Sequence, residues 1–540
     1  MNDFTDKALQ SIKKLGITHI WYTGIIEHAT CESYPNHKIK NQHPSVVKGR
    51  AGSPYAITDY YDVNPYLAQN IDDRMVEFEQ LIGRTQKNGL KAIIDFVPNH
   101  VARQYGSDVF PDKDFGISDD KTKAFLPSND FYYIPDKSLV LADGMGSLID
   151  GEQVGEYVEF PARATGNDRF DATPTIDDWY ETVKLNYGVD YCGGGKKHFA
   201  PVPPLWDKMV AILQFWCSKN VDGFRCDMVE MVPVEFWAYA IKKIKDDYPN
   251  TIFIAEVYNP DKYNSYLGQG GFDYLYDKVG LYDCLRDIIC CDRPAHDITM
   301  CWKNLGGIDS KMLRFIENHD EQRIASGFFA GNANYALPAM FVSATLNTGP
   351  VMVYFGQEVG EPATGKTGYS GNDGRTTIFD FYNVPEHQKW MNGGKFDGGR
   401  LSVGQKKLRN AYAKILNFSI SSKAVSNGKF YDLMWANHFD GGPDTRYVYA
   451  YLRYFNDERL LVVVNFNKTE GQRFKLKIPE HAFNEMGFLH DSVIKLKDVF
   501  SEVFIEDTTL FEAVDNGIEF NMGPLMFCAC LLVERGEVGS

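Results

Sequence analysis

Apolar residues recur along the chain in two alternating rhythms. Phe4, Ala8, Ile12 and Leu15 share one helical stripe closed by Gly16, and the apolar run Ile17 to Tyr22 then reads as a buried strand. The same pairing returns with Met75, Phe78 and Leu81 on a helix stopped by Gly89, followed by a strand over Ala92 to Val97. A helix from Leu205 to Ser218 precedes Val221 to Phe224, and one over Phe236 to Ile244 precedes Ile252 to Ala255. Shorter apolar runs follow at Phe272 to Tyr276, Leu313 to Ile316 and Val351 to Tyr354. Strands apolar on both faces and alternating with helices predict a parallel sheet, and over nearly 400 residues an α/β fold of the (β/α)8 barrel type accommodates them.

The stretch between His100 and Pro204 breaks this rhythm with glycines, aspartates and tyrosines, which predicts an inserted subdomain after the third barrel strand. From Tyr431 onward the period becomes two, as in Tyr447 to Tyr454, Leu460 to Phe466 and Phe474 to Ile478, which predicts a C-terminal antiparallel β-sandwich. The expected organisation is a barrel over 1–100 and 205–424, an insertion over 101–204 and a terminal sheet domain over 425–540.

Composition narrows the ligand. A formal net charge of -16 opposes a polyphosphate or nucleic-acid partner, because an acidic surface gains nothing from counterion release, whereas a neutral carbohydrate is not penalised. No run of about 18 apolar residues marks a membrane span. Ten cysteines without a C-x-x-C give neither a zinc pattern nor a disulfide framework, and Cys217 and Cys226 read as buried thiols within apolar runs.

Candidate chemistry gathers at the strand ends, where barrel enzymes carry their catalytic groups. Asp95 to His100 close one strand, Arg225-Cys226-Asp227 the next, Ala255-Glu256 a third and Glu317 to Asp320 a later one. Polar groups at the ends of apolar strands are expensive to bury unless paired, so four such ends in succession point to one purpose. Arg225 lies two residues before Asp227, on the same side of the strand, and is expected to keep Asp227 ionised. Cleaving a glycosidic bond with retention needs a carboxylate nucleophile and a carboxylic acid about 5 Å apart. Adjacent strands offer Asp227 and Glu256 for these roles, with Glu256 expected to hold its proton near neutrality.

These motifs, DFVPNH (95–100), GFRCDMVE (223–230), IAEV (254–257) and ENHD (317–320), with GITHIWYTG (16–24), VKLN (183–186) and GPVMVYFGQE (349–358), resemble glycoside hydrolase family 13, the alpha-amylase family, over nearly the whole chain. The resemblance implies Asp227 as nucleophile, Glu256 as general acid/base and Asp320 as the carboxylate that grips sugar hydroxyls and stabilises the transition state. It implies substrate-binding roles for His100, Arg225 and His319, with Asp95 and Glu230 lining the same cleft, and it matches Tyr55 to a tyrosine that stacks on the sugar ring. Asn99 matches a calcium ligand, so calcium is the implied cofactor. The implied function is hydrolysis of alpha-glucosidic, chiefly α-1,4, bonds in starch-like glucans or malto-oligosaccharides. The alternatives are a transglycosylase or isomerase using the same glucosyl-Asp227 intermediate, and a glucan-binding or partner protein without catalysis.

Two departures qualify this pattern. Glu230-Met231 stands where starch-cleaving relatives often carry Lys-His, so acceptor-side contacts are expected to differ. Family members also begin with a barrel strand upstream of the helix that here starts at residue 4, and that first strand is absent from this sequence. The expectation is a reading frame that starts further upstream with Met1 internal to it, which leaves the cellular compartment open.

Overall fold

The computed structural model describes residues 1–142, 144–146, 155–489, 492–501 and 504–534, so short parts of the expected insertion and C-terminal domain lie outside the described residues. The chain divides into two compact units. The first comprises 1–13, 18–275 and 377–383, and the second comprises 14–17, 276–376 and 384–540.

In the first unit, strands His19–Tyr22, Lys91–Phe96, Gly223–Cys226, Ile252–Ala255 and Tyr274–Tyr276 pair in parallel in that order. Almost every position in them is buried or half-buried, which is why their sequences read as continuous apolar runs rather than alternating ones. Helices Arg74–Lys87, Pro204–Ser218 and Val234–Asp247 precede three of these strands. Their apolar faces supply Phe78, Trp216 and Trp237, and Phe78 meets Trp216 edge-on at 5.3 Å while Trp237 meets the strand residue Phe96 at 6.2 Å. Gly89 takes a left-handed φ of 70° just past the first of these helices, a turn that a side chain would strain.

Register fixes what faces what. Arg225 lies opposite Asp95, and Cys226 lies opposite both Phe96 and Ala255, so Asp227 and Glu256 come one residue beyond paired positions on neighbouring strands. Past the third-strand motif, His100–Ala102 pairs antiparallel with Thr182–Lys184. Tyr133–Ile134 pairs with Ala162–Arg163, and Val189–Asp190 with Lys196–Lys197. The buried Glu159 carboxylate is clamped by Arg103 at 2.9 Å and Arg163 at 2.8 Å, and these cations outweigh burial to hold it down to about 2.

The second unit contains helices Asp283–Cys290, Leu337–Thr345 and Val403–Ser421 and the short strand Met312–Leu313. The run Val351 to Tyr354, expected as a strand, makes a single parallel bridge from Val351 to Arg314. Pro350 brings no N–H to a ladder, and the Tyr354 N–H is taken by the Gln357 side chain at 3.1 Å, so the pairing ends there. C-terminal strands form an antiparallel sheet in the order Lys429–Asp432, Val448–Phe455, Glu458–Asn465, Phe527–Glu534, Val493–Asp498 and Phe504–Thr509. A two-stranded sheet, Gln472–Leu476 with Ile518–Met522, accompanies it. One continuous core joins Leu461, Val463 and Cys530 of these strands to Phe341 and Tyr412 of the helices, so the terminal sheets are not separately cored within this unit. All ten cysteines are free thiols.

One buried carboxyl in the first unit serves no catalytic reading. Glu27 accepts a hydrogen bond from Thr58 at 3.0 Å, and burial together with the neighbouring Asp59 and Asp62 charges pushes it up to about 8. The folded chain therefore retains a proton that the unfolded chain releases above its ordinary value of 4.5. The stability from this proton is complete below that value and is lost as pH rises towards 8. Glu27→Gln, neutral at every pH, is expected to raise the denaturation midpoint at pH 8 and leave it nearly unchanged at pH 4.5. Urea titrations of both proteins at the two pH values check this, and equal effects at both would refute it.

Candidate active site

The strand ends of the first unit converge on the Arg225 guanidinium, which is 1% exposed. One of its terminal nitrogens donates to Asp227 Oδ1 at 2.8 Å, the other lies 2.8 Å from Glu256 Oε1, and Asp95 Oδ1 stands 3.7 Å away. The rings of Trp21 and Tyr55 lie 5.2 and 5.5 Å from the guanidinium carbon, so the cation is also held by aromatic faces. Trp21 Nε1 donates to the second oxygen of Asp95 at 3.0 Å. Glu256 accepts at Oε1 from the Tyr258 hydroxyl at 2.6 Å and at Oε2 from the Met228 N–H at 2.9 Å. Met228 takes a left-handed φ of 42°, a conformation costly for a side-chain-bearing residue, and the turn directs its N–H to Glu256.

A single guanidinium faces three buried carboxyls. Burial pushes Asp95 up to about 6 against the pull of Arg225 and the Trp21 bond. Asp227 is also pushed well above the usual carboxylate range, by burial first and the Glu256 charge second, with Arg225 opposing. The expectation that Arg225 keeps Asp227 ionised is thus corrected, because burial and the Glu256 charge outweigh its guanidinium.

His100, at the head of strand His100–Ala102, is buried beside Trp179, and burial with the nearby Lys184 and Lys48 charges lowers it to about 3, so its imidazole is neutral. Asn99 does not present the oxygen expected for calcium. Its Oδ1 accepts a hydrogen bond from the Lys184 ammonium, while its Nδ2 donates to the Gly166 carbonyl at 2.7 Å. A divalent ion at that oxygen would meet a positive charge already in place, so these residues do not fit the implied metal. Among the described residues no group of three or more His, Cys, Asp or Glu side chains is arranged to hold one. Glu230 accepts from the Asn259 N–H at 3.3 Å and lies 3.9 Å from Lys262, so it ties two strand-end loops together.

His319 and Asp320 belong to the second unit and form their own pair, with His319 Nε2 3.2 Å from Asp320 Oδ2. Tyr369 donates to the His319 carbonyl and to Asp320 Oδ1 at 3.3 Å, and Arg375 donates to the Asp320 carbonyl at 2.7 Å. Glu317 of the same motif bonds Arg323 at 3.1 Å and the Ile324 N–H at 2.6 Å, and burial pushes it up to about 7. Trp21, Tyr258, Lys184, Tyr369 and Arg375 are not singled out by the sequence as site residues, although Trp21 and Lys184 fall within the GITHIWYTG and VKLN stretches. Tyr258 lies two residues past Glu256, on the same side of an extended segment, and could have been found that way.

The family model of the alpha amylase catalytic domain matches residues 3–139. The chain is 22% identical over 488 residues to alpha-amylase 3 of Dictyoglomus thermophilum, an alignment covering 87% of this chain and 81% of that protein. It superposes on a maltogenic alpha-amylase from Thermotoga neapolitana with a TM-score of 0.61 and 20% identity, covering 98% of this chain and 93% of the other. Similarity also extends to the alpha-amylase of Geobacillus thermoleovorans, solved with acarbose, at a TM-score of 0.59 and 18% identity over 98% of this chain and 91% of that one. These structural likenesses carry the (β/α)8-barrel fold, and the parallel strands of the first unit follow it. With the alpha amylase catalytic-domain model matched over residues 3–139 and relatives aligned along most of its length, the chain is similar to glycoside hydrolases of the alpha-amylase family.

Proposed function

We propose that the protein hydrolyses alpha-glucosidic bonds, chiefly α-1,4, of malto-oligosaccharides or starch-like glucans with retention of anomeric configuration. The observation that carries this reading is the pair Asp227 and Glu256, at the ends of adjacent parallel strands, held on two nitrogens of one buried guanidinium. Two carboxyls at the ends of adjacent strands, sharing one cation, are the pair that double displacement requires. In the first step an Asp227 oxygen attacks the anomeric carbon, the glycosidic C–O bond breaks, and its oxygen leaves with the proton delivered by Glu256. In the second step Glu256 takes a proton from water, the water oxygen bonds to the anomeric carbon, and Asp227 departs as carboxylate.

The proton must reside on Glu256 when the leaving oxygen departs. A glycosidic oxygen lodged beside Glu256 supplies the acceptor for that proton. His100, neutral and buried, is suited to donate a hydrogen bond to a sugar hydroxyl rather than to titrate, and the family pattern gives Asp320 the grip on neighbouring hydroxyls. Transglycosylation is the second reading, favoured by Glu230, whose contact with Lys262 replaces the usual Lys-His at the acceptor side.

Incubation with maltoheptaose, followed by NMR of the nascent anomer and chromatography of products, tests both readings. Hydrolysis with retention gives α-anomeric products no longer than the substrate. Products longer than seven units would favour transfer, and β-anomeric products would end the double-displacement proposal.

A further inference from the structure

We propose that the ammonium of Lys184 is a built-in cation that locks the inserted segment to the strand ends carrying Asn99 and Asp227, and that this joint works without a divalent metal. Lys184 is 2% exposed and ends the strand Thr182–Lys184, directly opposite His100 in the antiparallel register. Its Nζ donates to Asn99 Oδ1 and to the Met231 carbonyl at 3.2 Å, and pairs with Asp168 Oδ1 at 2.6 Å. An ammonium has three N–H donors, and here three oxygens from three separate chain segments receive them.

Those acceptors are an amide oxygen, a carboxylate and a backbone carbonyl, the hard oxygen donors that also suit calcium. The lysine thus takes the position such a set defines, with charge matched to charge and nothing recruited from solution. Each partner leads to the candidate site. Asn99 precedes His100 and fixes Gly166 of the insertion through its Nδ2. Met231 lies four residues past Asp227, at the end of the turn that begins with Met228 and brings the Met228 N–H to Glu256. Asp168, at a left-handed φ of 64°, brings the insertion to the ammonium. Loss of the cation would leave the Asp168 carboxylate and the buried Asn99 oxygen without their partner and release the turn after Asp227. Lys184 is accordingly a positioning residue, acting through His100 and that turn.

The test uses the full chain as wild type, Lys184→Met and Lys184→Asp, each in excess EDTA and in millimolar calcium chloride, with thermal midpoint and steady-state kinetics measured. The wild type is expected to keep the same midpoint within about 1 °C and the same turnover in both buffers. Lys184→Met should lose about 5 °C or more in both, because it leaves the buried Asn99 oxygen without its donor, and its kcat should fall more than its KM rises. Lys184→Asp converts the set to oxygens alone, so calcium is expected to raise its midpoint and recover part of its kcat. A wild type that loses midpoint in EDTA and regains it with calcium would overturn the proposal, as would Lys184→Met with wild-type stability or Lys184→Asp indifferent to calcium. The thermal readout is independent of turnover, so failure of this joint is distinguishable from failure of the glycosidase reading.

Discussion

Asp227→Asn is expected to lose about 10⁴-fold or more in kcat on malto-oligosaccharides while its thermal midpoint is kept or raised. The amide cannot form the ester, so the covalent step is lost for every substrate. The fold is spared because the change removes one of three acids competing for the Arg225 charge and leaves no buried carboxylate in its place. Glu256→Gln should behave differently. On a natural oligosaccharide it loses about 10²- to 10⁴-fold, the range of general acid catalysis, yet on an α-maltosyl fluoride, whose leaving group needs no proton, the first step should survive. Slow hydrolysis would then let the maltosyl-Asp227 ester accumulate, visible as an added mass on the intact protein. Normal turnover by Asp227→Asn, or equal losses of Glu256→Gln on both substrates, would exclude the assigned roles.

The barrel elements are legible in the sequence because strands buried on both faces leave an unbroken apolar signature. The run Ile252 to Ala255 has the same bounds in sequence and structure, since Thr251 precedes it and Glu256 follows it with polar side chains. Val351 to Tyr354 has the same apolar signature and makes only one bridge, because competition for its N–H groups depends on Gln357 and is invisible to a hydropathy pattern. The same contrast holds at the site. Arg225, Asp227 and Glu256 stand out because charged residues inside apolar strands need partners. Trp21 resembles any core aromatic until the guanidinium beside it is seen, and the contact of Tyr55 with that guanidinium is equally invisible in the sequence. Lys184 lies within the VKLN stretch, yet its partners Asp168 and Met231 are 16 and 47 residues away in sequence, and only the folded chain brings them together.

The protonation of Asp227 runs opposite to the direction that its sequence neighbour Arg225 suggests, and Arg225 offers the means to probe it. Arg225→Met removes the only cation within 4 Å of Asp227 and Glu256 among the described residues. Asp227 should then titrate at higher pH, since the positive charge that favoured its ionised form is gone. The folded-state value of Asp227 moves further above the unfolded one, so the variant is expected to be least stable at alkaline pH and closest to wild type near pH 4. The cost at pH 8 should be about 3–5 kcal/mol, the usual penalty for stranding a buried charge, and denaturant titrations at both pH values measure it. In kinetics, kcat at pH 7 should fall at least about 10²-fold, and the acidic limb of the pH–rate profile should move upward as the ionised nucleophile becomes scarcer. Equal destabilisation at pH 4 and 8, with the acidic limb unmoved, would show that the guanidinium does not set the charge of this pair.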